Sequence, residues 1–364
     1  MRISIISYLL SSGLCIIVMP LLIRFSLKLK MYDDHDLYRK THGGRISRFG
    51  GIGIFVSYIT VLQLCADFVD LGIHALIASS VVMFCLGLKD DLLKGAKPPE
   101  KFIIQVLATF VFVFFGNAAF GEINIFPTNP FLESSFLQIL SFITILFVVN
   151  AFNFVDGVNG LAGTLGVVIN LFVGTSMLIL GDHRYAVIAF TLAGATTGFL
   201  FFNFIQGRVF MGDSGAMVIG LNTVGLCLRL TSIADSSLNL NHSFSILGIM
   251  FALLIIPIFD VFRIFFIRAI QNKPLLVGDR NHIHHRLRDL GLKDYQIVFV
   301  LMGFTLMSVV FAIVTDADKN CMVIGVLSLG CLLANTLLTY LRGRYLFEQY
   351  KISDIIFIDT FNRR

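Results

Sequence analysis

The sequence has 364 residues, of which 56% are hydrophobic and only 14% charged, and its formal net charge is +5. Soluble domains carry about 25% charged residues, so this composition excludes a water-soluble globular protein. Many bilayer-spanning helices could accommodate this much apolar sequence, and the small net charge means that the location of the charges matters more than their sum.

Eleven apolar segments are long enough to cross a bilayer, because a spanning helix needs about 20 residues. The first has no signal-peptide cleavage site and is predicted to be a retained helix. In chain order the segments lie at about 3–27, 51–69, 72–88, 102–120, 136–152, 158–180, 186–205, 214–230, 245–269, 296–315 and 321–341. The sequence therefore predicts an all-α, polytopic helical bundle, with one transmembrane domain over 1–345 and a short cytoplasmic tail over 346–364.

The distribution of Lys and Arg predicts the orientation of these segments. With an external N-terminus, 24 of the 28 Lys and Arg residues fall on the inner side of the membrane. The four outer ones are Arg2, Arg184, Arg229 and Lys319. Since cytoplasmic loops are enriched in these residues, we predict an external N-terminus and a cytoplasmic C-terminus. All the polar clusters described below then lie on the cytoplasmic side.

Two adjacent carboxylates, Asp90 and Asp91, stand at the inner end of the third apolar segment. Such a pair suits Mg²⁺ binding or removal of a proton from a phosphate. A solvated helix end neutralised by Lys89 and Lys94 would give the same pattern.

Further polar residues follow at the inner ends of later segments. Asn153 and Asp156 are three residues apart and would share a helix face, which Asn159 continues. Asp213 lies between two glycines where the chain re-enters the membrane, so it could hold a metal that in turn holds a phosphate near a helix N-terminus. Helix capping is the alternative explanation for these residues.

Two clusters of basic residues are also predicted on the cytoplasmic side of the membrane. The first contains three histidines within four residues, with arginines nearby: Arg280, His282, His284, His285, Arg286 and Arg288. No acid or Cys at suitable spacing completes a zinc site, so this cluster favours anion binding or proton transfer to phosphates. The second cluster lies in residues 39–51 and includes Lys40, His42, Arg45 and Arg48. A basic loop at the membrane surface would explain either cluster without chemistry.

These clusters together indicate a site for a divalent metal and a diphosphate, with a hydrophobic cosubstrate that arrives from the lipid. No buried charge is predicted in the middle of a span, where a transporter would carry its proton or ion relay. A transporter or a non-catalytic carrier would also place polar groups on both sides of the membrane, whereas here the outer segments carry no such cluster.

The motifs resemble those of the polyprenyl-phosphate N-acetylhexosamine-1-phosphate transferases. The resemblance covers about residues 28–295 and is carried by Arg48-Phe-Gly-Gly51, Asp90-Asp91, Asn153-Phe-Val-Asp-Gly-Val-Asn-Gly160, Asn203, Phe210-Met-Gly-Asp-Ser-Gly215 and Asn281-His-Ile-His-His285. The family's fold is similar to the predicted bundle of eleven helices. The chain departs from the family at Lys94, where an Asp is usual, and at Ser47, where a Pro is usual.

The resemblance implies an Mg²⁺-dependent enzyme of the bacterial cytoplasmic membrane, with its active site on the cytoplasmic face. It would transfer a HexNAc-1-phosphate, most simply GlcNAc-1-phosphate, from a UDP-sugar to undecaprenyl phosphate and release UMP. The product would start a cell-surface polysaccharide. A phospho-MurNAc-pentapeptide transferase of peptidoglycan synthesis is the alternative within the family, and a non-catalytic carrier of polyprenyl phosphate or UDP-sugar is the alternative of another class.

The resemblance also implies roles for matching residues. Asp90 or Asp91 would deprotonate the lipid phosphate, while Asp213, Asp91 and Asn153 would bind Mg²⁺, for which Mn²⁺ could substitute. The remaining catalytic residues would be Asp156, His282, His284 and His285. The substrate-binding residues would be Lys40, His42, Arg45, Arg48, Lys97, Lys101, Asn153, Asn159, Asn203, Phe210 and Arg280. A homodimer is plausible by resemblance, membrane lipid is an expected partner, and nucleic acid is not.

Overall fold

The computed structural model describes residues 1–33, 46–66, 69–93, 98–121, 129–237, 246–272, 282–315 and 320–346. The chain divides into two compact units, Met1–Asn239 and Leu240–Arg364. The predicted single domain over 1–345 stays a prediction, and residues 347–364 of the predicted tail lie outside the described residues.

In its described residues, the first unit contains eight α-helices and two short strands. The helices are α1 (Arg2–Lys28), α2 (Gly50–Cys65), α3 (Leu71–Leu93), α4 (Pro98–Phe110), α5 (Pro130–Val155), α6 (Leu161–Ile179), α7 (His183–Leu200) and α8 (Gly212–Ser237). Helices α4 and α7 each continue into one π-helical turn, at Val111–Phe115 and Phe201–Ile205. Asn129 begins α5 in the expected way, because its side chain accepts a hydrogen bond from the Leu132 N–H at 3.1 Å and Pro130 occupies the first turn.

Within the described part of the second unit there are five helices: α9 (Ile246–Leu253), α10 (Ile255–Ile270), α11 (Ile283–Asp289), α12 (Asp294–Val314) and α13 (Asn320–Leu346). Helices α9 and α10 fall within one predicted span, 245–269, but are bent by 70° relative to each other. Pro257 explains the break, because it has no N–H to donate to the carbonyl of Leu253 four residues earlier.

Among the described residues, eight helices are long and apolar enough to cross a membrane, or nine if the bent pair forms one span. The other two predicted spans coincide with shorter helices. Segment 51–69 contains α2 with 16 residues, and segment 102–120 overlaps α4 with 13 residues and its π-helical turn. The chain is therefore a predominantly helical, multi-pass membrane protein.

The first unit is organised around α8, whose apolar side chains are almost all buried by contacts with α2, α3, α5, α6 and α7. Polar side chains also pair inside this bundle. The Tyr58 hydroxyl donates to Asn222 Oδ1 at 2.8 Å, and the Asn222 amide donates to Ser80 Oγ at 2.8 Å. Because a polar group in an apolar interior needs a partner, these bonds fix how α2, α3 and α8 face one another.

Helices α1 and α7 pack closely although they are far apart in the sequence. The Ser11 hydroxyl donates to the Thr191 carbonyl at 2.8 Å. A Cβ atom at Gly198 would lie 2.6 Å from the Ser12 carbonyl oxygen, so only glycine allows this approach. The Gly194–Gly198 pair is thus a close helix contact, as the GxxxG spacing indicates.

The two strands are an exception to the predicted all-α fold. Strand β1 (Tyr32–Asp33) pairs antiparallel with β2 (Ile46–Ser47), and Ser47 also forms a parallel bridge with Val209. This bridge brings the end of the basic loop beside the segment that precedes α8.

Candidate active site

The end of α3 meets the start of α8 through Asp91. One carboxylate oxygen of Asp91 accepts a hydrogen bond from the Asp213 N–H at 2.9 Å. The other accepts two bonds from Ser214, from its N–H at 3.1 Å and from its hydroxyl at 2.6 Å. The first N–H groups of a helix have no partner within the helix, so Asp91 caps α8 from a different helix.

Two glycines make this approach possible. Gly212 has a φ of +72°, and a Cβ atom there would lie 2.7 Å from both carboxylate oxygens of Asp91. On the other side, a Cβ atom at Gly87 would lie 2.6 Å from the carbonyl carbon of Asp213. Side chains at these positions would separate α3 from α8, so the two glycines let their backbones meet.

The side chain of Asp213 lies in a group of polar residues from α3, α4, α5 and α8. Its Oδ1 accepts a hydrogen bond from the Asn153 amide at 2.8 Å, and its Oδ2 contacts the Lys101 ammonium. The same ammonium lies 3.4 Å from Asp90 Oδ2. The side chains of Asp90, Asp213 and Lys101 are 24%, 23% and 20% exposed, so the group remains accessible from outside.

Asp156 lies one residue beyond α5 and faces the same group. Burial raises the pKa of its carboxyl group well above the ordinary value, and the nearby charges of Asp213 and Asp91 raise it further. A hydrogen bond from the Gly212 N–H acts in the opposite direction. We refer to Asp90, Lys101, Asn153, Asp156 and Asp213 as the acidic cluster.

Asn203, in the π-helical turn after α7, joins two loops beside this cluster. Its side-chain oxygen accepts a hydrogen bond from the Gly160 N–H at 2.7 Å, and its amide donates to the Val209 carbonyl at 2.7 Å. The residue is 3% exposed. Asn203 therefore holds the turn that follows α5 against the segment that precedes α8.

Arg48, Asn159 and Phe210 are half-buried. The Phe210 N–H donates to the Ser47 carbonyl at 2.8 Å, and the Ser47 N–H donates to the Arg208 carbonyl at 3.2 Å. The structure thus places the last residues of the basic loop beside Phe210. Five other predicted binding residues lie outside the described residues: Lys40, His42, Arg45, Lys97 and Arg280.

The donors of the acidic cluster fit a hard divalent cation. They are carboxylate and amide oxygens, and the Lys101 ammonium already serves as their counter-ion. Within the part of the chain that the structure describes, no three His, Cys, Asp or Glu side chains are grouped to hold a metal by themselves. Mg²⁺ needs no such group, because it usually takes one or two carboxylates and completes its shell with water and substrate phosphates.

In the second unit, residues His282–His285, which we call the histidine segment, are anchored by Asp260 of α10. One oxygen of Asp260 lies 2.8 Å from His282 Nδ1, and the other accepts a hydrogen bond from the Ile283 N–H at 2.9 Å. Asp260 is 1% exposed, and Arg263 lies 3.5 Å from it. The prediction that no buried charge lies inside a span is therefore wrong for α10. An Asp and an Arg three residues apart within an apolar run were the available signal.

The three histidines differ in their surroundings. The rings of His282 and His284 are parallel, with centroids 5.5 Å apart, and the His285 ring is tilted against His284 at 4.3 Å. His282 and His284 are buried, and His285 is half-buried. Burial lowers the pKa of His284 to about 3, although Asp260 acts in the opposite direction. His284 is therefore a neutral ring at physiological pH.

The arginines that follow the histidine segment are held by neighbouring helices. Arg286 donates to the Asn335 side chain at 2.5 Å and to the Thr339 hydroxyl, both on α13. Arg288 donates to Asp294 at 2.8 Å, at the start of α12. These contacts fasten α11 within its unit, so the interpretation of both arginines as part of an anion-binding cluster is not supported by their geometry.

Comparison with known proteins gives matches over much of the chain. The model of glycosyl transferase family 4 matches residues 73–231, which include the acidic cluster. A probable undecaprenyl-phosphate N-acetylglucosaminyl 1-phosphate transferase of Bacillus subtilis is 28% identical over 310 residues, 82% of each chain.

Two further proteins are similar to this chain over most of its length. The decaprenyl-phosphate N-acetylglucosaminephosphotransferase of Mycobacterium tuberculosis is 29% identical over 287 residues, 72% of this chain and 70% of the relative. A phospho-N-acetylmuramoyl-pentapeptide-transferase of Prochlorococcus marinus is 27% identical over 283 residues, 73% of this chain and 76% of the relative. The resemblance indicated by the sequence motifs is confirmed by these matches.

Proposed function

We propose that this chain, which is similar to glycosyl transferase family 4 over residues 73–231, transfers GlcNAc-1-phosphate, or a closely related HexNAc-1-phosphate, from a UDP-sugar to undecaprenyl phosphate. The observation that carries this proposal is the acidic cluster, where two carboxylates share one lysine and remain partly exposed at the start of α8. Two of the similar proteins carry the corresponding N-acetylglucosaminyl activity in their names.

The proposed reaction is a direct displacement. An oxygen of the lipid phosphate forms a bond to the β-phosphorus of the UDP-sugar, and the bond from that phosphorus to the oxygen shared with the α-phosphorus breaks. UMP leaves with the electron pair, and the lipid keeps a diphosphate that carries the sugar. A route through a covalent aspartyl-phosphate would use the same cluster in two steps.

Asp213 and Asn153 are proposed to hold Mg²⁺, with Mn²⁺ as a possible substitute. Bound there, the ion would neutralise charge on the diphosphate and on the departing UMP. Asp91 was the third ligand implied by the resemblance, but both of its oxygens accept hydrogen bonds from α8.

The other residues of the cluster act on the substrates. Asp90 is proposed to take the proton of the lipid phosphate, and its partly exposed side chain supports this role. The Lys101 ammonium contacts both Asp90 and Asp213. Once Asp90 carries a proton, this ammonium would be available to the transferred phosphate. By resemblance, Phe210 is proposed to contact the uridine and Arg48 a phosphate, and the backbone bond from Phe210 to Ser47 supports a shared location. The histidine segment is proposed, also by resemblance, to bind the diphosphate or the sugar.

The membrane arrangement belongs to the same proposal. We infer eleven spans, an external N-terminus and an active site on the cytoplasmic side of a bacterial cytoplasmic membrane. The asymmetric distribution of Lys and Arg supports this orientation. A cytoplasmic site is also where UDP-sugars would be available, and a homodimer is proposed by resemblance alone.

The test is a transfer assay with purified protein in detergent, radiolabelled UDP-GlcNAc, undecaprenyl phosphate and Mg²⁺. Label in the lipid phase together with UMP is the expected result. UDP as the nucleotide product would instead mean ordinary glycosyl transfer and would overturn the mechanism. Transfer only from UDP-MurNAc-pentapeptide would select the alternative that the Prochlorococcus relative represents. Absence of transfer from every UDP-sugar would favour a non-catalytic carrier.

A further inference from the structure

The two adjacent carboxylates at the end of α3 point in different directions. Neighbouring side chains of a helix lie about 100° apart around its axis, since a turn takes 3.6 residues. Asp90 faces the Lys101 ammonium at 3.4 Å. Asp91 faces the first turn of α8 and accepts three hydrogen bonds there, at 2.9, 3.1 and 2.6 Å. The two aspartates, which the sequence alone does not distinguish, therefore have different environments. Asp90 faces the acidic cluster, and Asp91 faces the N-terminus of α8.

The bonds to Asp91 act directly on a residue of the acidic cluster. One of the two N–H groups that Asp91 binds belongs to Asp213, whose own side chain contacts Asn153 and Lys101. The other belongs to Ser214, which is fully buried. A negative charge at a helix N-terminus also interacts favourably with the helix dipole. Any movement of the first turn of α8 would therefore move the Asp213 carboxylate.

We propose that Asp91 is a positioning residue, which holds the first turn of α8 against α3 and so fixes the Asp213 carboxylate, and that it exchanges no proton with the substrate. This inference rests on the proposed function for its effect on turnover. Ser214 is its partner in the same contact, because its hydroxyl makes the shortest of the three bonds.

The first test measures the contact itself, without turnover. Hydrogen–deuterium exchange of the peptide covering residues 210–216 is compared in the wild type, Asp91→Asn and Asp90→Asn. Faster exchange in this peptide, at the amide of Asp213 or of Ser214, is expected only in Asp91→Asn, because an Asn side chain keeps one acceptor oxygen and places its NH2 opposite the other N–H group. Unchanged protection in Asp91→Asn, or equal loss in Asp90→Asn, would overturn the proposal.

The second test is a double-mutant cycle on kcat with Asp91→Asn, Ser214→Ala and both together. Asp91→Asn should lower kcat by about 10²-fold, as a displaced catalytic group does, and Ser214→Ala by roughly 3- to 10-fold through one lost hydrogen bond. The double variant should be no slower than Asp91→Asn within about 2-fold, since both substitutions break the same contact. Multiplicative effects would mean that Asp91 acts on the substrate or metal.

These outcomes separate the inference from the function on which it rests. If the wild type releases no UMP from any UDP-sugar, the proposed function fails, and the exchange experiment still decides whether Asp91 caps α8. If turnover is normal but the exchange pattern is the same in all variants, the function stands and the positioning role fails.

Discussion

The acidic cluster of the first unit and the histidine segment of the second are both anchored by a carboxylate, but their chemical groups are exposed to different degrees. In the first unit Asp91 binds backbone N–H groups of α8, while Asp90 and Asp213 stay 24% and 23% exposed. In the second unit Asp260 binds the ring of His282 and the N–H of Ile283, and both His282 and His284 are buried.

The comparison shows that the two regions differ in whether the anchored residue is also the residue proposed to act on the substrate. At the acidic cluster, one aspartate anchors and its neighbour remains accessible. In the histidine segment the anchored ring is itself a predicted catalytic residue, and His285 is the more exposed member. Substitutions in the acidic cluster should therefore act mainly on turnover, and substitutions around Asp260 should act on stability as well.

The largest effect is expected for Asp213→Asn, which should lower kcat by about 10³-fold. The substitution removes a charge that Lys101 and the proposed Mg²⁺ both need, yet it keeps a side chain of the same size. The melting temperature in detergent should stay within about 2 °C of the wild type, because Asp213 is partly exposed.

The matched control is Asp70→Asn, since Asp70 precedes α3 at the end opposite Asp90 and an Asn there can still accept the bond from the Gly72 N–H. It should keep wild-type turnover. Near-normal UMP release by Asp213→Asn would remove the acidic cluster from the mechanism.

Asp260→Ala should destabilise the protein by about 3–5 kcal/mol, because it removes one partner of a buried ion pair. Asp294→Ala is the control in the same unit. Its partner Arg288 is 36% exposed, so that loss should be about 0–1 kcal/mol. Denaturation of both variants in detergent measures the difference, and equal losses would contradict the anchoring role of Asp260.

Asn203→Ala should cost about 1–3 kcal/mol of stability, because the Gly160 N–H and the Val209 carbonyl both lose their bond to this side chain. It should also raise the KM for the UDP-sugar, since the Val209 carbonyl that Asn203 holds directly precedes Phe210, a proposed uridine contact. Asn129→Ala, which removes only a cap at the far end of α5, should lower stability by about 1 kcal/mol without changing KM. If Asn203→Ala changes KM alone, its role is direct uridine contact, as the resemblance implies.

The last expected effect is a pH dependence of stability caused by His284. Its folded pKa of about 3 lies below its ordinary value of 6.5, so the unfolded chain binds the proton more readily. Stability should therefore be complete above pH 6.5 and should fall by up to about 1.4 kcal/mol per pH unit as the pH is lowered towards 3.

Two variants isolate this contribution. His284→Gln should flatten the decrease, whereas His183→Gln, at the exposed start of α7, should keep the wild-type slope. Thermal unfolding followed between pH 7 and 5 measures both, and an unchanged slope in His284→Gln would show that another group is responsible.

Much of the fold follows from apolar segment length, because crossing a bilayer requires about 20 consecutive apolar residues. The predicted segments therefore coincide with helices, whereas the break before Ile255 needed the local effect of Pro257 on an otherwise uniform apolar run. Motif order alone indicated Asp90, Asn153, Asp213 and Lys101 as site residues, and the structure brings them together.

The division between Asp90 and Asp91 could not be predicted. It depends on backbone donors 122 and 123 residues away in the chain. Because every residue except proline has a backbone N–H group, the sequence does not show which of these groups will bind Asp91. The anchoring role of Asp260 was missed for a related reason. Its partners, His282 and the Ile283 N–H, come from a later helix, so α10 alone gives no indication of them.

The contact between α1 and α7 has a consequence for biosynthesis. Ser11 of α1 bonds to Thr191 of α7 across 180 residues of sequence. At about 5–20 residues per second, a ribosome needs roughly 9–36 s to synthesise that interval. During this time the serine-lined face of α1, which includes Ser4 and Ser7, has no α7 to cover it. Helix α1 thus meets α7 only late in synthesis, and a chain that stops before α7 would leave that face exposed to the quality-control machinery of the cell.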